Sequence, residues 1–398
     1  EMKVINGNIA SPLGFSADGL HAGFKKKKMD FGWIVSEVPA SVAGVYTTNK
    51  VIAAPLLVTK EAVEKSQKMR AVVVNSGCAN SCTGQQGLED AYTMQKWTAE
   101  KLGVEPETVA VASTGVIGEL LPMDTLEKGL SKLVVNGNAD DFSKAIMTTD
   151  TDIKTVAVTE MFGRDEVTMA GVAKGSGMIH PNMATMLAFI TCDAVISSET
   201  LQLALSQNVE KTFNQITVDG DTSTNDMVLV LSNGCTLNKE ILPDTADFEK
   251  FTAMLNFVMQ DLAKKIAKDG EGATKLIEVN VVNAPNEEDA RMMAKSVVGS
   301  SLVKTAIFGE DPNWGRILAA VGYAGVDVPV ENIDIKLGDL PVMLASSPVS
   351  FDEEEMADVM QSDQVTITVD LHAGEALGQA WGCDLSYDYV KINALYRT

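Results

Sequence analysis

Between residues 153 and 194 the 398-residue chain holds three strand-length segments almost back to back, 153–162, 166–174 and 185–194. Strands this close in sequence return by short connections, so they pair antiparallel and form the centre of a sheet that other elements must cover. The first break is as short as a hairpin requires. The second is not: KGSGMIHPNMAT at 174–185 places Gly175, Gly177 and Pro181 between two good strands. It spends about ten residues where a hairpin uses two to five.

Upstream, strand-like and helix-like runs alternate. Residues 70–75 (RAVVVN) and 108–113 read as strands, and 88–102 and 123–147 as helical. The pattern is that of a mixed α/β fold. The clearest helix spans 247–268, where Phe248, Phe251, Leu255, Val258, Leu262 and Ile266 recur at spacings of three and four and so line one face. Thr245 or Asp244 can cap its start, and Gly270 and Gly272 supply residue types that end helices. Beyond it, 275–282, 303–308 and 365–371 read as strands, 287–298 and 313–323 as helices, and the acidic run 352–355 as a solvated helix start. At roughly 150 residues per domain the length suggests two to three domains. We place a core over 1–280 and a smaller C-terminal α/β domain over 281–398.

Composition removes several classes of function. Acidic residues outnumber basic ones 54 to 32, for a net charge of −22, which disfavours a surface that tracks nucleic-acid phosphates. No apolar stretch approaches the roughly 20 residues that cross a bilayer, so no membrane partner is expected. The first twenty residues lack both the apolar core of a signal peptide and the Arg-rich character of a transit peptide, which reads as cytoplasmic; Glu1, before Met2, is set aside. The five cysteines are an odd set in such a chain and are expected to be reduced. Cys78 and Cys82 find no second Cys or His pair to complete a zinc site. In DGDTSTND, Asp219, Asp221 and Ser223 suggest calcium, but Thr224 and Val230 stand where an EF-hand needs Gly and an acid. Gly175-Ser176-Gly177 matches no full phosphate-loop motif. No metal and no resident cofactor are expected.

Only three histidines are present, His21, His180 and His372, far apart in sequence, so a His-based triad has little material. His180 beside Pro181 reads as an exposed loop residue. The 174–185 stretch is either an ordinary irregular loop or a processing site. On the second reading, cleavage after Ala184 frees the α-amine of Thr185, whose ordinary pKa of about 7.7 to 8.0 lets it act as base for the hydroxyl of the same residue. Ser113-Thr114-Gly115, after the strand at 108–113, is on its residues alone a plain strand-end turn.

The 174–193 segment, KGSGMIHPNMATMLAFITCD, closely resembles the processing signature of the ornithine acetyltransferase (glutamate N-acetyltransferase) family of arginine biosynthesis. So do AGVYTTNKVIAAP, NSGCANSCTGQQG, STGVIGE, DGDTSTND, EGATKLIEV and DPNWGRILAAVGYAG, in order over nearly the whole chain; Cys78 stands where a polar residue is often found. The resemblance implies a self-processing, aminopeptidase-like α/β layered core, an α chain of 1–184 and a β chain from 185, paired as an α2β2 heterotetramer. It implies Thr185 as nucleophile, Thr114 and Gly115 as the oxyanion pair, and Thr148, Lys174, Thr185, Glu271, Asn393 and Thr398 as substrate contacts. The implied reaction moves acetyl from N-acetylornithine to glutamate through an acetyl-Thr185 ester. Some family members also take acetyl from acetyl-CoA. The alternative is an aminopeptidase or amidase of the related fold, in which water resolves the ester.

Overall fold

The computed structural model describes residues 1–180 and 186–395. Among the described residues the fold is mixed α/β, with two sheets. The larger follows the order Lys3–Ile5, Lys154–Phe162, Asp165–Lys174, Leu187–Cys192, Met227–Ser232, Phe31–Tyr46, Lys68–Cys78, Val109–Val116, with Phe15–Leu20 added beside Phe31–Tyr46. The three consecutive strands expected from the sequence pair antiparallel in its middle, Lys154–Phe162 with Asp165–Lys174 and that strand with Leu187–Cys192.

The 16-residue strand Phe31–Tyr46 divides this sheet into two leaves. Its ladder with Lys68–Cys78 shifts register between Val35 and Ala40, where Glu37, Val38 and Pro39 are exposed and Arg70 donates to the carbonyls of Ser36 and Glu37. A strand that slips register and carries a proline bends there. Its first half stays with Phe15–Leu20 and Lys68–Cys78; its second half pairs with Met227–Ser232.

Ile34, Val72, Val74, Ala110 and Ala112 of one leaf pack against Val172, Leu187, Phe189, Met227 and Leu229 of the other. Alternate residues of the same strands face outward, onto helices. Phe31, Trp33, Ala71, Val73, Val109 and Val111 meet the helices Ala54–Ser66, Gly84–Leu102 and Met123–Lys132. Val156, Val158, Met169, Ala188 and Ile190 meet Ser198–Val209 and Ala246–Lys268. The order is helices, leaf, leaf, helices, and the near-continuous apolar run RAVVVN is what a strand covered on both faces requires.

The helix at 246–268 forms as its periodicity predicts: the Thr245 side chain accepts from Phe248 N–H, and Phe251, Leu255, Val258, Leu262 and Ile266 are buried. Its core also takes in Trp381 and Cys383, so the helix lies between the large sheet and the second one. That second sheet runs Ser347–Pro348, Leu340–Leu344, Asp334–Leu337, Gln364–Asp370, Leu276–Ala284, Ala376–Cys383, Ile216–Thr217, and carries its own core with the helices Glu287–Gly299 and Trp314–Gly322.

One expected strand is a helix. Residues 303–308 belong to the helix Ser301–Phe308, started by the Ser300 hydroxyl accepting from Val303 N–H. The run is short and β-branched, but its buried residues Val303, Ala306 and Ile307 fall at helical spacing, and tertiary burial decides. At 352–355 the structure has the helix Glu353–Gln361, with Asp352 as its cap.

Leu255 is wholly buried on the helix shared by both sheets. Leu255→Ala is expected to cost about 2–5 kcal/mol through lost transfer free energy and the cavity left behind, read as a lower denaturant midpoint.

Candidate active site

A cavity of about 800 Å³ opens where the two leaves meet, lined from one side by Gly77, Thr114 and Gly115 and from the other by Lys174, Met186, Asp226 and Glu271. Six of the residues expected to carry catalysis or substrate contact line it: Thr114, Gly115, Thr148, Lys174, Glu271 and Asn393. Ala184, Thr185 and Thr398 lie outside the described residues. Leu187–Cys192 begins two residues past Thr185, and both Met186 and Leu187 line the cavity.

Thr114 and Gly115 sit near the end of Val109–Val116, still inside the strand rather than in a turn beyond it. Gly115 has φ +130°, and a Cβ there would lie 2.4 Å from the Gly77 carbonyl carbon. Two strand backbones therefore approach at the cavity wall more closely than any side chain allows.

Lys174, the last residue of its strand, is buried, and its Nζ donates to the hydroxyls of Thr114 and Thr148, each at 3.1 Å. Burial pushes its pKa below the ordinary lysine value, and Asp150 opposes that shift. Asp150 accepts from Gly175 N–H at 2.8 Å, from Thr148 N–H at 3.2 Å and from Lys154 Nζ at 2.6 Å. Burial works against its charge, but Lys154 and Lys174 outweigh it and hold the carboxyl below its ordinary value. Lys154 reaches on to Asp269, also at 2.6 Å.

Glu271 follows the end of the long helix, its N–H on the Ser176 carbonyl at 2.9 Å. One carboxylate oxygen accepts from Thr149 Oγ1 at 3.0 Å and the other from the Asn393 amide. Burial raises its pKa, and these two donors oppose the shift. A Cβ on Gly177 would fall 1.7 Å from Glu271 Oε1, so only glycine leaves this carboxylate its place. The C-terminal helix Tyr387–Leu395, which brings Asn393, is tied in by Tyr389 Oη donating to Asp219 at 2.9 Å.

Sequence reading missed the role of DGDTSTND. Asp219 accepts from the N–H groups of Met178 and Ile179 at 2.8 and 2.9 Å, before residues 181–185, and Asp226 accepts from Met186 N–H at 2.7 Å, after them. Asn225 donates to the carbonyls of Ala79 and Ser113 at 2.7 and 2.9 Å, fastening the same segment to the opposite leaf. A run of short acids and amides answering backbone groups was the available signal.

His180 is half-buried rather than exposed, with Nδ1 3.0 Å from Thr217 Oγ1. Loop position predicts exposure, but Ile179 and His180 lie against Thr217 of the short strand Ile216–Thr217. Burial first, then the Lys295 charge, pushes its pKa down to about 4. Cys78 is buried with Sγ on the Glu119 carbonyl at 3.3 Å, and all five cysteines are free. Among the described residues one group has the makings of a cation site, Asp334, Asp370 and His372, with both imidazole nitrogens already at carboxylates, 2.8 and 3.5 Å away. These residues lie on and beside the second sheet, and none of them lines the cavity.

A hydroxyl held by a buried ammonium, beside a closely packed glycine backbone and a carboxylate in one small cavity, suits acyl chemistry on a compact polar substrate. Fold and site together suit an enzyme of acyl transfer. The chain belongs to the ArgJ family, whose sequence pattern matches residues 16–398. It is 85% identical over 397 residues to the arginine biosynthesis bifunctional protein ArgJ of Streptococcus mutans, and 70% identical to that of Staphylococcus epidermidis, with full coverage of both chains in each case. The crystal structure of the bifunctional ArgJ protein of Bacillus halodurans is 54% identical, with a TM-score of 0.52; it covers 53% of this chain and 100% of its own. As a family member this protein is an acetyltransferase of arginine biosynthesis.

Between about pH 6.5 and 4 an unfolded His180 binds a proton that the folded one, with its pKa near 4, refuses, so stability is lost as pH falls through that window. His180→Gln is expected to remove of order 1 kcal/mol of that acid sensitivity, half-burial having been allowed for, and to leave stability at pH 8 nearly unchanged. Denaturant midpoints across the range check it.

Proposed function

We propose that this enzyme moves the acetyl group of N-acetylornithine to glutamate, after cleaving its own backbone between Ala184 and Thr185. In the precursor Thr185 Oγ attacks the Ala184 carbonyl and the C–N bond breaks, which frees the Thr185 α-amine and leaves an ester; water then hydrolyses that ester to the Ala184 carboxylate and a free Thr185 hydroxyl. In turnover that amine takes the Oγ proton as Oγ bonds to the acetyl carbon. The oxyanion is met by the Thr114 hydroxyl and the Gly115 N–H. Because Lys174 donates to Thr114 Oγ1, that hydroxyl's own proton is directed elsewhere and strengthened as a donor. The C–N bond breaks, the proton passes from the α-amine to the departing ornithine, and the glutamate amine reverses the sequence on the acetyl ester.

The observation that carries this reading is the Thr114–Lys174–Thr148 hydroxyl–ammonium chain on the cavity wall, beside the start of Leu187–Cys192. An ammonium has three donors, and with two on hydroxyls the third suits the α-carboxylate common to both amino acids. Glu271 then faces the ornithine ammonium, and its raised pKa eases the approach of a glutamate side chain that a fixed negative charge would repel. That the solved Bacillus halodurans chain matches 53% of this one in its full length agrees with a β fragment of 214 of the 398 residues. We assign the pieces to an α2β2 assembly. We also assign acetyl-CoA as a second acetyl donor, its thiol leaving where ornithine leaves; the word bifunctional in the relatives' names supports this second donor.

On a denaturing gel the purified enzyme is expected as fragments of 184 and 214 residues, and Thr185→Ala as one chain of 398. An intact wild-type chain with full activity refutes the mechanism. Incubation with acetylornithine separates transfer from hydrolysis: ornithine release that needs glutamate and yields acetylglutamate is expected, whereas free acetate without acetylglutamate identifies an amidase. Lys174→Met is expected to raise KM for acetylornithine and for glutamate alike, by about tenfold or more. An effect on one substrate only overturns the shared-carboxylate assignment.

A further inference from the structure

In a chain of net charge −22, four lysines stand in a row, Lys25, Lys26, Lys27 and Lys28, between the strands Phe15–Leu20 and Phe31–Tyr46. Lys25, Lys26 and Lys28 line the same cavity as Thr114 and Lys174. Their loop is a built one. The buried Asp30 carboxylate accepts from the N–H groups of Ala22, Gly23 and Lys25 at 2.7, 3.1 and 2.8 Å, and Lys25 Nζ donates to the Met147 carbonyl at 2.7 Å. A Cβ on Gly77 would lie 2.9 Å from Lys25 Cγ, so this loop rests on the glycine that itself meets Gly115.

Lys26, Lys27 and Lys28 are exposed, and among the described residues none of the three is in an ion pair. Three adjoining ammonium groups repel one another, and a lone carboxylate returns little at an exposed pair. A ligand with several negative charges close together fits them. The rest of the cavity suits such a ligand poorly, because Asp219, Asp221, Asp226 and Glu271 line it.

We propose that the Lys25–Lys28 loop is a polyanion subsite at the rim of the active-site cavity, taking the phosphates of a nucleotide thioester acyl donor. The amino-acid substrates use Lys174 and Glu271 within the cavity. The subsite rests on the reading of acetyl-CoA as second donor given above. There the Thr185 hydroxyl oxygen bonds to the acetyl carbon, the C–S bond breaks, and the thiolate takes the proton held by the α-amine.

The test is the processed enzyme with Lys26→Gln, Lys27→Gln and Lys28→Gln combined; Lys25, which holds the loop, is kept. Acetyl transfer to glutamate is measured from acetyl-CoA and, separately, from acetylornithine. Expected is a KM for acetyl-CoA raised about tenfold or more, with KM for acetylornithine and glutamate within about twofold of wild type. Adenosine 3′,5′-bisphosphate is expected to compete with acetyl-CoA in the wild type, less so as salt rises, and hardly at all in the variant. An unchanged KM for acetyl-CoA in the variant, beside an active wild type, overturns the subsite alone. A rise of equal size for acetylornithine shows that the lysines serve amino-acid carboxylates and also overturns it. A wild type that takes no acetyl from acetyl-CoA removes the second-donor reading, and the subsite with it.

Discussion

Everything at the site hangs on a charge network that cannot exist half made. Asp150 and Lys154 are both withdrawn from water, and a buried charge is tolerated only where partners and hydrogen bonds replace the solvent. Lys154 answers Asp150 and Asp269, and Asp150 answers the backbone of Thr148 and Gly175. One cluster thus joins the end of the long helix, the segment holding Thr148, and the point where Asp165–Lys174 gives way to its unusual loop. Lys174 and Glu271 take their positions from its two ends.

The same network sets the electrostatics of the cavity. Lys174, buried among hydroxyls, has its charge disfavoured by desolvation and supported by Asp150; Glu271, with Thr149 and Asn393 as donors, is pushed toward neutrality. A site that accepts a cationic and an anionic side chain in turn benefits from a carboxyl whose charge is only weakly held. The glycines at 77, 115 and 177 do complementary work, removing side-chain bulk where backbones or the carboxylate must come close.

What the sequence made legible follows from locality. The helix over 246–268 and the antiparallel trio rest on periodicity and short connections, both contained in neighbouring residues. The bent strand over 31–46 was unreadable because its two halves serve different leaves, and Pro39 argues against a strand unless a bend is known to be there. Residues 303–308 were misread since a short β-branched run leaves the choice to packing. At the site, Thr114, Lys174 and Glu271 were legible only through family resemblance, because they come from three places that nothing in sequence spacing joins. Asp219 was visible as an acid and tested against the wrong partner, a metal, and Asp226 was given no role, when both accept from backbone N–H groups.

The strand order carries a consequence of its own. Leu187–Cys192 and Met227–Ser232 lie side by side in the large sheet, flanked by Asp165–Lys174 and Phe31–Tyr46, both of which precede them in the chain. Sequence before residue 185 and sequence after it are interleaved like two hands with fingers laced. A break in the backbone at that point could raise the number of molecules from one to two, while any parting of the pieces would first have to unzip the ladders on both sides of the inserted pair. Such halves part only by opening those ladders, and neither could be exchanged for a fresh copy without unfolding the sheet it completes.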